Sequence, residues 1–472
     1  MNLRFALTWR VPRMASFLVG SIALVALGAS PLTYARQRSA PHYDGSISAR
    51  LIFQSSCLDP LKANSNLFVI FDSLVSTDYH GHVRPGLALG WTFSHGSRWL
   101  TMRLRPGVRF SNGDPLGARE IKAEMDAILT HPVPWLPAAE PLQRVQAINK
   151  TTIRFIYSKA FGGAIDFWVN FPIVDVKADH ALGDKSCQTP IGSAAFKVDS
   201  VSPGFNTITV MRNSLHNWGP PWLYNRGRAY LSSIVFKTVV DDTTAVNELL
   251  ANDLDVTRVA STQVSRVQNN PDIKLHTSTE TSELFLGFNF AHTPFDKPAV
   301  RREISEPIDR SALIKVAANG YAKAADSPIA GHAPFHDAKA KGYAIRYNTD
   351  DARKMLTANH VTGPFTLETL SIPIFATTAQ FIQAQLAQVG INVHLAIKGV
   401  VDAQADFARG QMDMYVGIQG HAGDLYSRFQ SSQTPDHGGL NFGPLRRVKG
   451  YHYVPGSNSL MLPPFEELYL QR

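Results

Sequence analysis

The chain has sixteen histidines and two cysteines among 472 residues, so their spacing is the first guide to any chemistry. His80 and His82 flank Gly81 in a turn. His332 and His336 have the i,i+4 spacing that places two imidazoles on one helix face. Pro334 lies between them, however, and breaks the regular helix that such a metal face needs. Solvated or capping roles are expected for all four, because so many histidines form pairs by chance. The sequence has no Walker-type phosphate loop, no G-x-S-x-G, no H-E-x-x-H and no C-x-x-C. No nucleophile–base pair is visible, and neither a cofactor nor a metal is expected. Cys57 and Cys187 are either a single disulfide or two unpaired buried thiols.

The elements that would position a site are clearest over residues 84–129. Residues 91–93 and 99–105 read as strands, with Leu100, Met102 and Leu104 on one side and Thr101, Arg103 and Arg105 on the other. Ser94-His95-Gly96-Ser97 supplies the turn between them. Pro106-Gly107 and Asn112-Gly113 turn around a short strand at 108–110. Asp114 then stands where an N-cap belongs, with Pro115 at the first helical position and Ile121, Met125, Ile128 and Leu129 following at helical spacing. Upstream, residues 48–54 read as a strand, 55–61 as a turn and 66–75 as a helix. Downstream, residues 166–176 are apolar enough to be buried. Strands surround the turn at 202–204, and αL-tolerant Asn252-Asp253 closes a helix. Helices are expected at 349–358 and 379–389, the latter ended by Gly390, followed by a strand in GINVHLAIKG. Pro307 should kink or end a helix near Glu306.

This run of motifs resembles the extracytoplasmic solute-binding proteins of ABC transporters, specifically family 5, the peptide, oligopeptide and nickel type. Pro85, Leu87, Ala88 and Trp91 fit its first strand; Leu104, Arg105, Gly107, Val108, Phe110, Asn112, Gly113 and Pro115 fit its LR-x-GV-x-F-x-(D/N)G-x-P motif. Pro190, Ile191, Gly192, Ser193 and Phe196 fit a second motif, with alanine where the family has another glycine. Arg212, Asn213 and Trp218 fit its RN-x-x-YW. Asn289, Pro294, Phe295, Asp296, Val300, Arg301, Asp309 and Arg310 fit a further one. The likeness covers residues 48–425 and weakens beyond, where a stretch near 431–440 is shorter than in the family.

The resemblance implies an α/β, two-lobed periplasmic-binding-protein fold of class II, cluster C type, with an extra domain inserted in the first lobe. Residues 36–80, 186–278 and 440–472 would form lobe 1, residues 81–185 its inserted domain, and residues 279–439 lobe 2. It implies capture of a small solute, with short peptides the leading choice, and delivery to an inner-membrane ABC permease that works with a separate ATPase. A nickel chelate, an opine or a sugar is the alternative ligand, and an exported hydrolase a weaker reading. In peptide-binding relatives an acidic residue of lobe 2 holds the peptide's ammonium, since a buried charge needs a partner. The matching position is Asp424, which equally suits the cap of a helix beginning at Leu425. His421 stands where relatives differ; Tyr415 and Tyr426 either line the same pocket or belong to the core; Ser55 and Ser56 are rim candidates.

Compartment and charge agree with this. Arg4, Arg10 and Arg13 precede an apolar run at 14–29, and Thr33-Tyr34-Ala35 offers small residues at the positions signal peptidase reads. Residues 1–35 therefore read as a signal peptide for export to the periplasm. The run is shorter than the roughly 20 residues of a spanning helix, and no cysteine stands directly after it for lipid attachment. Cleavage would remove three arginines and no acid, lowering the formal charge from +8 to +5. Basic residues are spread along the chain, so nucleic acid is not an expected partner. A monomer is expected.

Overall fold

The computed structural model describes residues 43–419, apart from 53, 64–66, 79–81, 132–141, 170, 278–282, 290–291, 326, 328–337, 400–401, 404–405 and 407–410, and also residues 452–454 and 459–461. The expected signal peptide lies outside the described residues. So do His421, Asp424 and Tyr426, with His80, His332 and His336.

Strand β1 (Ser46–Leu51) opens the described chain. A hairpin of β2 (Val75–Thr77) and β3 (Val83–Pro85) leads to β4 (Ala88–Ser94), β5 (Trp99–Leu104) and helix α1 (Ala118–Thr130). Next come β6 (Leu142–Asn149), β7 (Thr152–Tyr157), and the short helices α2 (Ala164–Phe167) and α3 (Val176–Leu182). The strands β8 (Phe196–Val201), β9 (Thr207–Arg212) and β10 (Ser233–Thr238) precede α4 (Asp242–Leu250) and α5 (Val264–Val267). The remainder runs β11 (Glu283–Phe288), α6 (Pro298–Ser305), α7 (Arg310–Ala318), α8 (Thr349–Ala358), β12 (Phe365–Leu370), α9 (Pro373–Gln388), β13 (Val393–Lys398) and β14 (Met414–Gln419). A small ribbon pairs β15 (His452–Val454) with β16 (Ser459–Met461).

Among the described residues three four-stranded sheets result, each with its own core. The first has the order β1-β10-β9-β8, with β1 parallel to β10 and the rest antiparallel. Ile208 and Val210 point into its core with Leu58, Ile70, Phe196 and Phe236, while Met211 on the other side is exposed. The second, β4-β5-β7-β6, is antiparallel throughout. Leu100, Met102 and Leu104 are buried there as their period-two spacing requires, under Ile121, Met125 and Ile128 of α1. The third has the order β11-β14-β12-β13; β12 runs parallel to both its neighbours and β11 antiparallel to β14. Helix α9 lies on it, burying Phe375, Ala379, Ile382 and Leu386. Among the described residues no helix is long and apolar enough to cross a membrane.

Several local expectations hold. Helix α8 spans residues 349–358 behind Asn348, whose side chain accepts from Asp351 N. Helix α6 stops at Ser305, before Pro307, and Asp309 caps a fresh helix by accepting from Ser311 N and Ala312 N. Asn252 takes the left-handed conformation, φ 62°. Helix α9 begins at Pro373, earlier than its sequence pattern suggests.

Three expectations fail, each for an identifiable reason. The helix expected at 66–75 is absent from the described residues 67–75: residues 68–70 form one 3-10 turn and β2 follows. Their carbonyls are taken by other segments, Asp72 O by Ile173 N, Ser73 O by Leu87 N and Leu74 O by Ala88 N. Asp114 and Pro115 do not start α1. Phe110 N donates to Asp114 O and Leu116 N to Val108 O, closing 108–116 as a tight ladder. The helix starts after Gly117, whose N–H donates to Glu120 Oε2 at 2.9 Å. Leu129 is exposed rather than part of the buried stripe.

Cys57 and Cys187 are bonded across 130 residues of sequence. The bond joins the loop after β1 to the turn after α3, and three other contacts share that junction. Leu58 N donates to Cys187 O at 2.8 Å, Ser186 Oγ to Asp59 Oδ2 at 2.5 Å, and Lys62 Nζ to Asp179 at 2.9 Å. Burial, with Asp179 beside it, pushes the Asp59 carboxyl up to about 6. A cross-link closing so long a loop limits the unfolded chain most in the entropy model. Replacing both cysteines with serine should cost about 2–4 kcal/mol, read from the urea midpoint under non-reducing conditions. An unchanged midpoint would show that the neighbouring contacts suffice.

Candidate functional site

A half-polar cavity among the described residues lies where the first and second sheets meet. Gly192 makes it possible: a Cβ there would sit 1.9 Å from Ile70 O, so only glycine allows this approach. The next residue, Ser193, donates its hydroxyl proton to Asp72 Oδ2 at 2.9 Å. Asn213, buried after β9, fixes the following loop by donating to Ala194 O and accepting from Leu215 N. That loop presents His216, whose Nε2 lies 3.8 Å from Asp72 Oδ1, and Trp218. Arg105, just past the end of β5, lays its guanidinium over the Trp218 ring at 4.1 Å. A cavity of about 280 Å³ is lined by Arg105, Ser193, His216 and Trp218, with Arg109, Leu89, Val108 and Leu215; Asp72 is reached through Ser193.

Burial sets the electrostatics. Asp72 is pushed up to about 7 by burial, against the opposing effects of the Ser193 hydroxyl and the Arg105 charge. His216 is drawn down to about 4 by burial and by Arg105, so it is neutral at pH 7. Burial also lowers Arg105. Ser, His and Asp thus lie close together, but in the wrong order for nucleophilic catalysis. Activation of a serine requires its proton to go to the imidazole; here Ser193 gives it to the carboxylate. The arrangement is a polar clamp suited to holding a guest.

The predicted site residues fall on separate elements. Ser55 is half-buried in the loop between β1 and the disulfide. Tyr415 is buried on β14, directly opposite Gly287 of β11. A Cβ at Gly287 would lie 2.3 Å from its ring, and Phe285 meets it edge-on at 5.6 Å. Its neighbour across β12 is Glu368, which with Asp406 holds the Lys398 ammonium; the Glu368 contact is 3.2 Å. Among the described residues no cluster of three His, Cys, Asp or Glu side chains fits a metal. Sequence reading singled out Arg105 and Trp218 only as motif positions and passed over Asp72 and His216. Only their convergence marks them.

Residues 82–438 match the family model described as "Bacterial extracellular solute-binding proteins, family 5 Middle". The chain belongs to this family. The glutathione-binding protein GsiB of Escherichia coli (strain K12) is 26% identical over 353 residues, 72% of this chain and 66% of that protein. The match therefore spans slightly less than two thirds of that relative. Among solved structures, the oligopeptide-binding protein AppA of Bacillus subtilis, in complex with a nonapeptide, superposes with a TM-score of 0.70 at 20% identity, over 85% of this chain and 84% of that one. NikZ of Campylobacter jejuni, in complex with Ni(L-His), superposes with a TM-score of 0.70 at 15% identity, over 90% and 89%. The α/β, two-lobed family 5 fold is thereby established.

Two predictions follow from this family 5 protein's own geometry. Between pH 3.8 and about 7 the folded chain keeps a proton on Asp72 that the unfolded chain has lost, so this group makes stability fall as pH rises. Between about pH 4 and 6.5 the unfolded chain protonates His216 and the folded one does not, so this group makes stability rise with pH. The two largely offset one another in the wild type. Asp72→Asn should expose the rising slope and His216→Gln the falling one, in urea midpoints taken across pH 4–7; identical slopes in all three proteins would refute the assignment. Gly287→Ala should cost about 1–3 kcal/mol by displacing Tyr415, seen as a lower melting temperature.

Proposed function

We propose that this chain is an exported receptor which closes two lobes on a short peptide in the periplasm and passes it unchanged to an ABC permease. The family match over residues 82–438 carries this reading. Lobe closure removes water and lets a few polar groups set the orientation of a guest. The choice of peptide draws support from two matched proteins, one named for glutathione and one solved with a nonapeptide. In this reading residues 1–35 direct export and are removed, and a separate ATPase drives the permease. Residues 36–80, 186–278 and 440–472 form one lobe, residues 81–185 its inserted domain, and residues 279–439 the other. The receptor works as a monomer. Asp424 holds the peptide's ammonium, while His421, Tyr415, Tyr426 and Ser55 border the guest. No bond is made or broken, in keeping with the Ser193 proton being committed to Asp72.

The mature protein should melt several degrees higher with glutathione or a mixed peptide pool, since a ligand at a hundredfold excess over Kd adds about 2.7 kcal/mol. Asp424→Asn should weaken that binding at least tenfold. No shift with peptides, alongside one with nickel–histidine, an opine or a sugar, would reassign the ligand; cleaved peptide in the incubation would make the protein a hydrolase.

A further inference from the structure

The cavity beside Arg105 has the makings of a second binding site, distinct from a guest held between lobes, because its walls come from the first and second sheets and their loops. Its charge is lopsided. Arg105 and Arg109 both line it, and Asp72 behind Ser193 is the facing carboxyl. Arg105 is held in place by the Trp218 ring, and Arg109 is anchored by one bond from Nη1 to Gly113 O at 2.8 Å. Three buried polar side-chain atoms of residues lining this cavity lack a hydrogen-bond partner among the described residues: Arg105 Nε, His216 Nδ1 and Trp218 Nε1. Arg105 Nε and Trp218 Nε1 can only donate, and unmet buried donors are costly, so their gathering at one place favours a guest that brings acceptor oxygens. The remaining wall is apolar, formed by Leu89, Val108 and Leu215. A volume of about 280 Å³ is at the small end of ligand pockets.

We propose that this cavity binds a small organic carboxylate, its carboxyl group between Arg105 and Arg109 and its short apolar tail against Leu89, Val108 and Leu215. Planar guanidinium groups suit a carboxylate because two N–H groups meet two oxygens. An inorganic oxyanion would satisfy the arginines and leave the apolar wall wet. A neutral amide of the same shape would satisfy the wall and leave the charge unmet.

Isothermal titration of the mature protein with butyrate, phosphate and butyramide tests this. Butyrate should bind saturably, with butyramide at least tenfold weaker. Arg109→Gln, at an exposed position, should weaken butyrate at least tenfold and keep the wild-type melting temperature without ligand. It should also keep any peptide-induced shift, so failure here and failure of the peptide reading can be told apart. No butyrate binding at millimolar concentration, equal binding of butyramide, a preference for phosphate, or an Arg109→Gln protein that binds like wild type would each overturn the proposal.

Discussion

Residues 70–75 are the joint on which the first and second sheets depend. Their carbonyls accept hydrogen bonds from segments far apart in sequence: Ile70 O from Ala194 N, Asp72 O from Ile173 N, Ser73 O from Leu87 N and Leu74 O from Ala88 N. The side chains divide in the same way. Ile70 and Phe71 enter the core of the first sheet, and Leu74 and Val75 that of the second. Backbone groups buried in such a junction must be paired, so the segment cannot also form a helix. Its one charged side chain, Asp72, is left facing the seam, where it meets Ser193 and His216 of the cavity wall.

That origin explains the chemistry of the seam. Asp72 is there because of backbone geometry, and Arg105 arrives at the end of a strand whose alternate residues Leu100, Met102 and Leu104 are committed to the core. Neither is fully solvated, so each shifts toward its neutral form, and the neighbouring His216 is neutral for the same reason. Aromatic contact with Trp218 steadies the guanidinium without neutralising it. A site of this kind is ready to hold an oxygen-rich guest and poorly suited to transferring a proton.

The third sheet solves a different problem. Its second face carries Glu368, Tyr415 and Lys398 beside Asp406, a set that is polar yet largely buried. Lys398 provides the countercharge, and Gly287 and Gly417 make room for the Tyr415 ring. Burying Glu368 without Lys398 would be expensive; paired, the two carboxylates and the ammonium hold β12 and β13 to the segment around 406.

Local chemistry was readable wherever one residue type permits one conformation. Pro307 had to end α6, Asn252 could take the left-handed turn, and the alternation of Leu100, Met102 and Leu104 required a strand with one buried side. The ordered motifs at residues 84–129, 189–196 and 289–310 were enough to indicate the family and hence the two-lobed plan. Local signals misled at Asp114-Pro115, where good helix-starting chemistry lost to the ladder closing 108–116, and at residues 67–75, where good helix spacing lost to hydrogen bonds from distant segments. Propensity is worth a few tenths of a kcal/mol per residue, whereas an unpaired buried backbone group costs about 1–3 kcal/mol. Whether Cys57 and Cys187 meet, and whether Arg105, His216 and Trp218 share one cavity, depended on segments over a hundred residues apart coming together. Spacing along a chain records the period of its own helix or strand; it holds no measure of which remote segment will pack against it.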